Sequence, residues 1–440
     1  MSRYKPYPAY KESGVAWLGR VPAHWKVVRM RYAATLNPPV RNNLLEAPEQ
    51  EVSFLAMESI GEDGSLNLEH SRPVADVRNG YSYFEDGDVA FAKVTPCFEN
   101  GKGALMRGLR RAAGFGTTEL TVLRPKPAVA DASYINYIVQ DSSFRAFGAG
   151  AMTGAGGLKR VPDEFTRNFL VSLPDLNEQR AIANQLDRET ARIDALIEKK
   201  TRFIELLREK RQALITHAVT KGLDPDAKMK DSGVEWLGKV PEQWVAMRVA
   251  AMYREVVRPG ESDLPVLSIS IHSGISDDEL SAGERDRKVS LIEDREKYKR
   301  VCPGDLAYNM MRAWQGGFGA VAVDGLVSPA YVVAEPKIEI VTEYIELLLR
   351  TPMAVEEMRR FSRGIADFRM RLYWEAFRDV VLLSPPIEEQ RAIVDRVKQE
   401  GARIDALAKK TELSITLLTE RRSALITAAV TGQIDLRESA

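Results

Sequence analysis

Residues 177–222, NEQRAIANQLDRETARIDALIEKKTRFIELLREKRQALITHAVTKG, return at 388–433 as EEQRAIVDRVKQEGARIDALAKKTELSITLLTERRSALITAAVTGQ. The two stretches agree at 25 of 46 positions without a gap. A shorter pair frames the repeat: 11–25, KESGVAWLGRVPAHW, and 230–244, KDSGVEWLGKVPEQW, agree at ten of fifteen. Between these frames lie residues 26–174 and 245–385, which hardly resemble each other. Self-similarity in a fixed order governs how the whole fold is read. A repeated frame around two divergent inserts describes one scaffold presenting two different surfaces.

The long repeat carries a heptad pattern. In the first copy Ile182, Leu186, Glu189, Ile193, Leu196, Lys200, Phe203, Leu207, Lys210 and Leu214 alternate at spacings of four and three. The second copy gives Ile393, Val397, Glu400, Ile404, Leu407, Thr411, Ser414, Leu418, Arg421 and Leu425. This predicts two helices, each with a seam interrupted by polar residues at matching places. Asp175 with Glu178 fits a capping box at the start of the first, and Gly222 fits its C′ position. The second starts instead with Ser384-Pro385-Pro386. A helix of ~45 residues is about 65 Å long and, alone, would expose its seam to water. Two copies in one chain can bury both seams against each other, and similar units most often close through a two-fold axis. Such an axis makes the helices antiparallel and sets the globular regions at the two ends of a rigid spacer. The alternative is that each helix packs on its own globular region.

The inserts carry strand-like runs beside Gly and Pro punctuation: Val89–Ala92, Leu120–Leu123 and Tyr331–Ala334. Each has a Gly-Asp turn before an apolar strand, at Gly87-Asp88 and Gly304-Asp305, and each ends in a strand and Pro, VSLP 171–174 and LLSP 382–385. The inserts therefore share an origin while their surfaces have diverged. The expected layout is 1–174, a first globular domain with its Trp-bearing opening segment; 175–222, a central helix; 223–385, a second such domain; and 386–440, a distal helix.

Composition narrows the function. The 440 residues are 45% hydrophobic and 28% charged, with 62 Lys plus Arg against 62 Asp plus Glu. A zero balance lends no weight to nucleic-acid binding by itself, so such a reading needs local basic patches. No apolar run is long enough to span a bilayer. Cys97 and Cys302 fall at non-equivalent places and read as free buried thiols in a reducing compartment, the cytoplasm.

Catalytic signatures are weak. Asn37-Pro38-Pro39-Val40 resembles the Asn-Pro-Pro-aromatic loop of adenine methyltransferases, but Val40 cannot stack on a flipped base. The glycines 148, 150, 154, 156 and 157 with Lys159 lack the ending of a P-loop and read as a flexible loop. His24, His70, His217 and His272 have no ligand spacing, so no metal site is expected. This favours a binding subunit over an enzyme.

The basic clusters are more informative. Arg107, Arg110 and Arg111 crowd the first insert, with Lys93 and Lys102 near the turn CFENGKG at 97–103, and Lys159 and Arg160 beyond. The second insert has Arg359, Arg360, Arg363, Arg369, Arg371 and Arg378 among Phe361, Phe368, Tyr373 and Trp374. Counted from the Pro before each helix, Arg160 aligns with Arg371 and Arg167 with Arg378. Arginine presents forked donors that suit phosphate and the O6/N7 edge of guanine. Asn309, Arg312 and Gln315 follow a strand end and are expected to reach bases. Trp17, Trp25, Trp236 and Trp244 read as buried anchors against a helix, with a partner-docking surface as the alternative.

These motifs together resemble the specificity subunit of type I restriction-modification enzymes over nearly the whole chain. The likeness rests on SGVAWLGRVPAHW and SGVEWLGKVPEQW, LPDLNEQRAI and SPPIEEQRAI, ARIDAL at 191–196 and 402–407, and the ALIT-x-AVT endings. GDVAFAKVTPCFENGKGA at 87–104 and GDLAYNMMRAWQGGFGA at 304–320 look like that family's target recognition domains. The resemblance implies an α+β chain in which two α/β target recognition domains are joined by an antiparallel coiled coil with an internal pseudo-two-fold. Each domain would read half of a split, asymmetric site in double-stranded DNA. The helices would set the spacer and dock two modification subunits, one copy of this chain per complex. It also implies that the chain has no catalytic residues and no cofactor. Its partners would use S-adenosylmethionine to methylate adenine, with ATP and Mg where a restriction subunit joins. Two other readings stay open: a protein-binding coiled-coil scaffold, and a specificity subunit serving a fused restriction-methylation enzyme.

Overall fold

The computed structural model of the chain describes residues 4–155, 157–271, 273–280, 294–364 and 370–437. They form two compact units, one made of Met1–Thr201 with Leu413–Ala440 and the other of Arg202–Glu412. Both long helices form, Leu176–Lys221 and Ile387–Val430, and each contributes to both units. The first starts with half of the expected capping box: Asp175 Oδ1 accepts from the Glu178 N–H at 3.0 Å. It ends at Gly222, whose φ of 81° is the left-handed conformation expected of C′.

The two inserts fold around the same sheet. In the first unit a four-stranded sheet runs Ala34–Leu36, Leu120–Pro125, Val89–Ala92, Gly103–Leu105. The second unit repeats this order with Tyr253–Glu255, Tyr331–Pro336, Leu306–Asn309 and Phe318–Ala320. Registers match too: Leu120 pairs with Ala92, and Tyr331 with Asn309. The Val89–Ala92 and Leu306–Asn309 strands are buried along their length, which is why they read as continuous apolar runs rather than alternating ones. A second sheet distinguishes the first unit, in the order Ser71–Pro73, Glu51–Leu55, Ala113–Gly116, Ser82–Glu85. In the second unit its described counterpart is a pair, Lys299–Val301 with Gly325–Val327.

The repeated frame makes the same contacts twice. In the first unit the fully buried Trp25 donates its indole N–H to Glu178 at 3.1 Å and lies against Gly432. In the second, the fully buried Trp244 donates to Glu389 at 2.9 Å and lies against Gly222. Each Trp thus ties the start of one long helix to the end of the other. The neighbouring glutamines anchor the insert: Gln179 accepts from Asp131 N–H and Gln390 from Val341 N–H, at 2.8 and 2.9 Å. Tyr134 and Tyr344 donate to the Val430 and Val219 carbonyls at 3.4 and 3.1 Å. The expected packing role of the Trp residues holds, with Trp17 and Trp236 half-buried beside the core.

Inside each unit the helices run antiparallel. Arg422 pairs with Asp194 at 2.9 Å in the first unit. In the second, Arg211 pairs with Asp405 at 3.5 Å and Arg208 with Glu412 at 3.8 Å. Both Arg–Asp pairs join the same two positions of the repeat.

The seam needs one correction. Ile182, Leu186, Ile193, Leu207, Ile393, Val397, Ile404 and Leu425 are buried, and Leu214 and Leu418 partly so. Leu196 and Leu407 are each 43% exposed and Phe203 41%. From Leu186 the buried face steps by four and then three, to Thr190, Ile193, Ile197, Ile204 and Leu207; in the second helix it takes Gly401, Ala408 and Thr411. Positions i+3 and i+4 share one side of a helix, and Leu196-Ile197 and Phe203-Ile204 supply apolar residues at both. Gly401 and Ala408 favour the i+4 choice because a small residue admits the facing side chain, and the Arg211 guanidinium lies over Gly401.

Candidate nucleic-acid interface

The Gly-Asp turns form the floor of each head. Asp88 is buried, accepts from Glu85 N–H at 2.8 Å, and is neutralised by a fork from Arg124 at 2.8 and 2.7 Å. Asp305 accepts from Cys302 N–H at 2.8 Å and pairs with Arg258 at 2.5 Å. A buried carboxylate is stable only when paired and hydrogen-bonded, and the heads meet that demand from different places, Arg124 in the strand Leu120–Pro125 and Arg258 in the segment after Tyr253–Glu255. These two acids are thereby tied into the fold.

Above the floor, the backbone places Arg160 and Arg371 equivalently, as counting from the Pro suggested. Thr153 and Arg160 exchange backbone hydrogen bonds at 3.0 and 2.8 Å, and Arg363 and Arg371 exchange theirs at 3.0 Å. The next residues, Val161 and Leu372, donate to the carbonyls of Lys93 and Met310 at 2.8 and 2.9 Å. Both arginines therefore stand beside the end of the central strand of their sheet. Their surroundings differ. Arg160 forks onto Glu119 through Nε at 2.8 Å and Nη2 at 2.7 Å, with both side chains partly exposed. That hydrogen bond holds the Glu119 carboxyl below its ordinary range and raises Arg160. Arg371 is exposed and has no carboxylate partner among the described residues.

Not all expected site residues gather here. Lys93 and Lys159 flank Arg160 in the backbone pairing, and Thr95 N–H donates to the Lys159 carbonyl at 3.0 Å. Lys102 turns away and donates to the Met57 carbonyl at 3.0 Å. Arg107 donates to Ser133 at 2.7 Å and lines a cavity of about 390 Å³ with Asp187 and Arg422. In the second unit Arg312 and the exposed Gln315 lie on the turn after Leu306–Asn309, and Arg359 stacks 5.6 Å over Trp314. Arg363 joins Arg371 through the backbone. Arg369, with Phe368, lies outside the described residues, as does His272. Asn309 corrects the expectation that it reaches a base: it is buried, because the turn needs its Oδ1 to accept the Met311 N–H at 3.0 Å.

Other readings also change. Asn37 accepts from Val122 N–H at 3.0 Å and donates to Asp163 at 3.1 Å, so its amide is occupied in joining loop to sheet. Gly148 and Gly150 end a helix, Ser142–Gly150, rather than a loop, and a Cβ at Gly148 would sit 2.4 Å from Phe98. Cys97 and Cys302 are free but half-buried, not buried. Among the described residues no helix is long and apolar enough to cross a membrane. Glu119 went unnoticed in the sequence. Aligning the strands after it would have found it, since Ala330 precedes the matching strand of the second head.

No family model matches the chain. It is 36% identical over 170 residues to the type I restriction enzyme EcoEI specificity subunit of Escherichia coli, a match covering 38% of this chain and 28% of that protein. It is 36% identical over 184 residues to the EcoAI specificity subunit of Escherichia coli, covering 41% of this chain and 30% of that one. The matches thus span about three tenths of those relatives' own length. In fold it is similar to a chain of a solved structure described as showing complex assembly and conformational transition of the type I R-M system. That likeness has a TM-score of 0.71 at 17% identity and covers 94% of this chain and 99% of the other. By sequence the chain is related to type I restriction enzyme specificity subunits.

Proposed function

We propose that the chain is the DNA-binding specificity subunit of a type I restriction-modification complex. Its two heads would read the two halves of a bipartite, asymmetric double-stranded site. The long helices, paired as an antiparallel coiled coil, would set the unspecified spacer and dock two adenine-methyltransferase subunits. The chain itself would be non-catalytic and bind no cofactor. S-adenosylmethionine would be used by the modification subunits, and ATP with Mg by a restriction subunit where one is present.

One observation carries this reading. The repeat builds the same frame in each unit, down to the Trp–Glu bond and the Arg–Asp pair, while the heads keep one sheet and differ in the residues around Arg160 and Arg371. A frame that repeats and a surface that diverges suit an asymmetric target read in two parts. With a net charge of zero, the phosphate contacts would fall to local patches and to the partners. The test is a genome-wide map of methylated adenine with and without the gene. Loss of methylation at one split motif is expected. An unchanged map, in cells expressing the chain with a methyltransferase partner, would reject the reading.

A further inference from the structure

A guanidinium has two hydrogen-bonding edges, Nε with Nη2 and Nη1 with Nη2. Glu119 occupies the first edge of Arg160, at 2.8 and 2.7 Å. Two consequences follow from that geometry. The remaining edge is fixed in direction, and the charge of Arg160 is offset by a neighbouring carboxylate. A phosphate oxygen approaching that edge meets Glu119 as a like charge. The O6/N7 pair of guanine is neutral and asks for a fork held in one orientation. In the second head Ala330 stands where the first has Glu119, since Leu120 and Tyr331 hold the same register. Arg371 there is exposed and has no carboxylate partner among the described residues.

We infer that Arg160 reads a guanine in the half-site of the first head, with Glu119 as its positioning residue, while Arg371 holds a backbone phosphate in the second. This rests on the DNA-recognition reading above. Two arginines at one structural place thus do different work, and the difference is set by a single neighbouring side chain.

The experiment uses the full chain purified with its methyltransferase partner. Binding is measured to duplexes carrying the methylated motif, with each G·C pair replaced in turn, from about 50 to 200 mM salt. Arg160→Lys keeps the charge beside Glu119 but loses the fork. It is expected to lose about tenfold or more of the discrimination at one G·C pair with the salt slope unchanged. Glu119→Gln is expected to lose the same discrimination and to steepen the slope by about 0.9, as the freed arginine takes a phosphate. Arg371→Ala is expected to weaken all duplexes alike and reduce the slope by about 0.9. Full discrimination by Arg160→Lys, or an Arg160→Ala variant that behaves like Arg371→Ala, would overturn the assignment. A wild-type complex that binds without sequence preference would instead sink the specificity-subunit reading itself.

Discussion

The frame and the heads show two ways in which a duplicated sequence can behave. Trp25 with Glu178 and Trp244 with Glu389 make one bond in two units, at 3.1 and 2.9 Å. Arg160 and Arg371 share a backbone position, yet one is forked onto a carboxylate and the other, among the described residues, is not. The frame is constrained by burial, where a changed side chain leaves a cavity or an unpaired group. The head arginines stand at the surface, where a changed neighbour costs little in stability and alters what the arginine can bind. Divergence therefore collects at exposed positions beside an unchanged sheet.

The sameness of the frame is broken most strongly at the tryptophans. Trp25→Ala and Trp244→Ala should each cost about 3–5 kcal/mol in urea unfolding of the full chain. The two losses should agree within about 1 kcal/mol. The glutamates left behind differ but find partners: Glu178 keeps His24 at 2.8 Å, and Glu389 is half-buried and reaches water. A large loss in one unit beside a negligible one in the other would mean the repeated bond does not do equal work.

The seam sharpens the comparison at the next level. Ile193 and Ile404 occupy one position of the repeat and are 6% and 8% exposed. Ile193→Ala and Ile404→Ala should each cost about 2–4 kcal/mol. Leu196→Lys with Leu407→Lys should change stability by less than about 0.5 kcal/mol, since both side chains are 43% exposed. Thermal unfolding that ranks the leucine pair above the isoleucines would restore the seam as the heptad pattern first suggested.

That error shows where sequence reading stops. The helices, their ends at Asp175 and Gly222, and the strands Val89–Ala92 and Leu120–Leu123 were legible, because period, capping and apolar runs are local. Of the seam, the positions shared by both alternations were legible and Leu196, Phe203 and Leu407 were not, because a period near 3.5 does not separate i+3 from i+4. In the heads, counting from a Pro located Arg160 and Arg371. The Glu119/Ala330 difference was open to a strand alignment, but its pairing with Arg160 was not legible, because the two residues lie 41 apart in sequence and meet only in the fold. Asn309 misled for the reverse reason: a polar residue at a strand end serves a turn as readily as a ligand.

A smaller effect tests why the second seam accepts a glycine. Gly401 is the counterpart of Thr190, and a Cβ there would rest 3.6 Å from Arg211, an ordinary contact. Gly401→Ala should stabilise the chain by about 0.5–1 kcal/mol, by removing backbone freedom from the unfolded chain in mid-helix. A fall in melting temperature would mean that Gly401 is needed for close approach of the facing side chain.

The smallest expected effect separates the two units by pH. Glu346 in the second unit accepts from Ala320 N–H at 2.8 Å and Arg350 at 2.8 Å, and burial pushes its carboxyl above the ordinary range despite both bonds. The corresponding residue of the first head, counted from Tyr134 and Tyr344, is Asn136, which does not titrate. A carboxyl raised in the folded state binds its proton more tightly there than in the unfolded chain. Its contribution is therefore fully present below the ordinary glutamate range and is lost as pH rises through the raised value. Glu346→Gln should flatten that decline in the second unit and leave the first unit's pH profile as it was. If the variant declines with pH as steeply as wild type, the decline originates elsewhere, and the two Arg350 and Ala320 hydrogen bonds hold Glu346 ionised across the range.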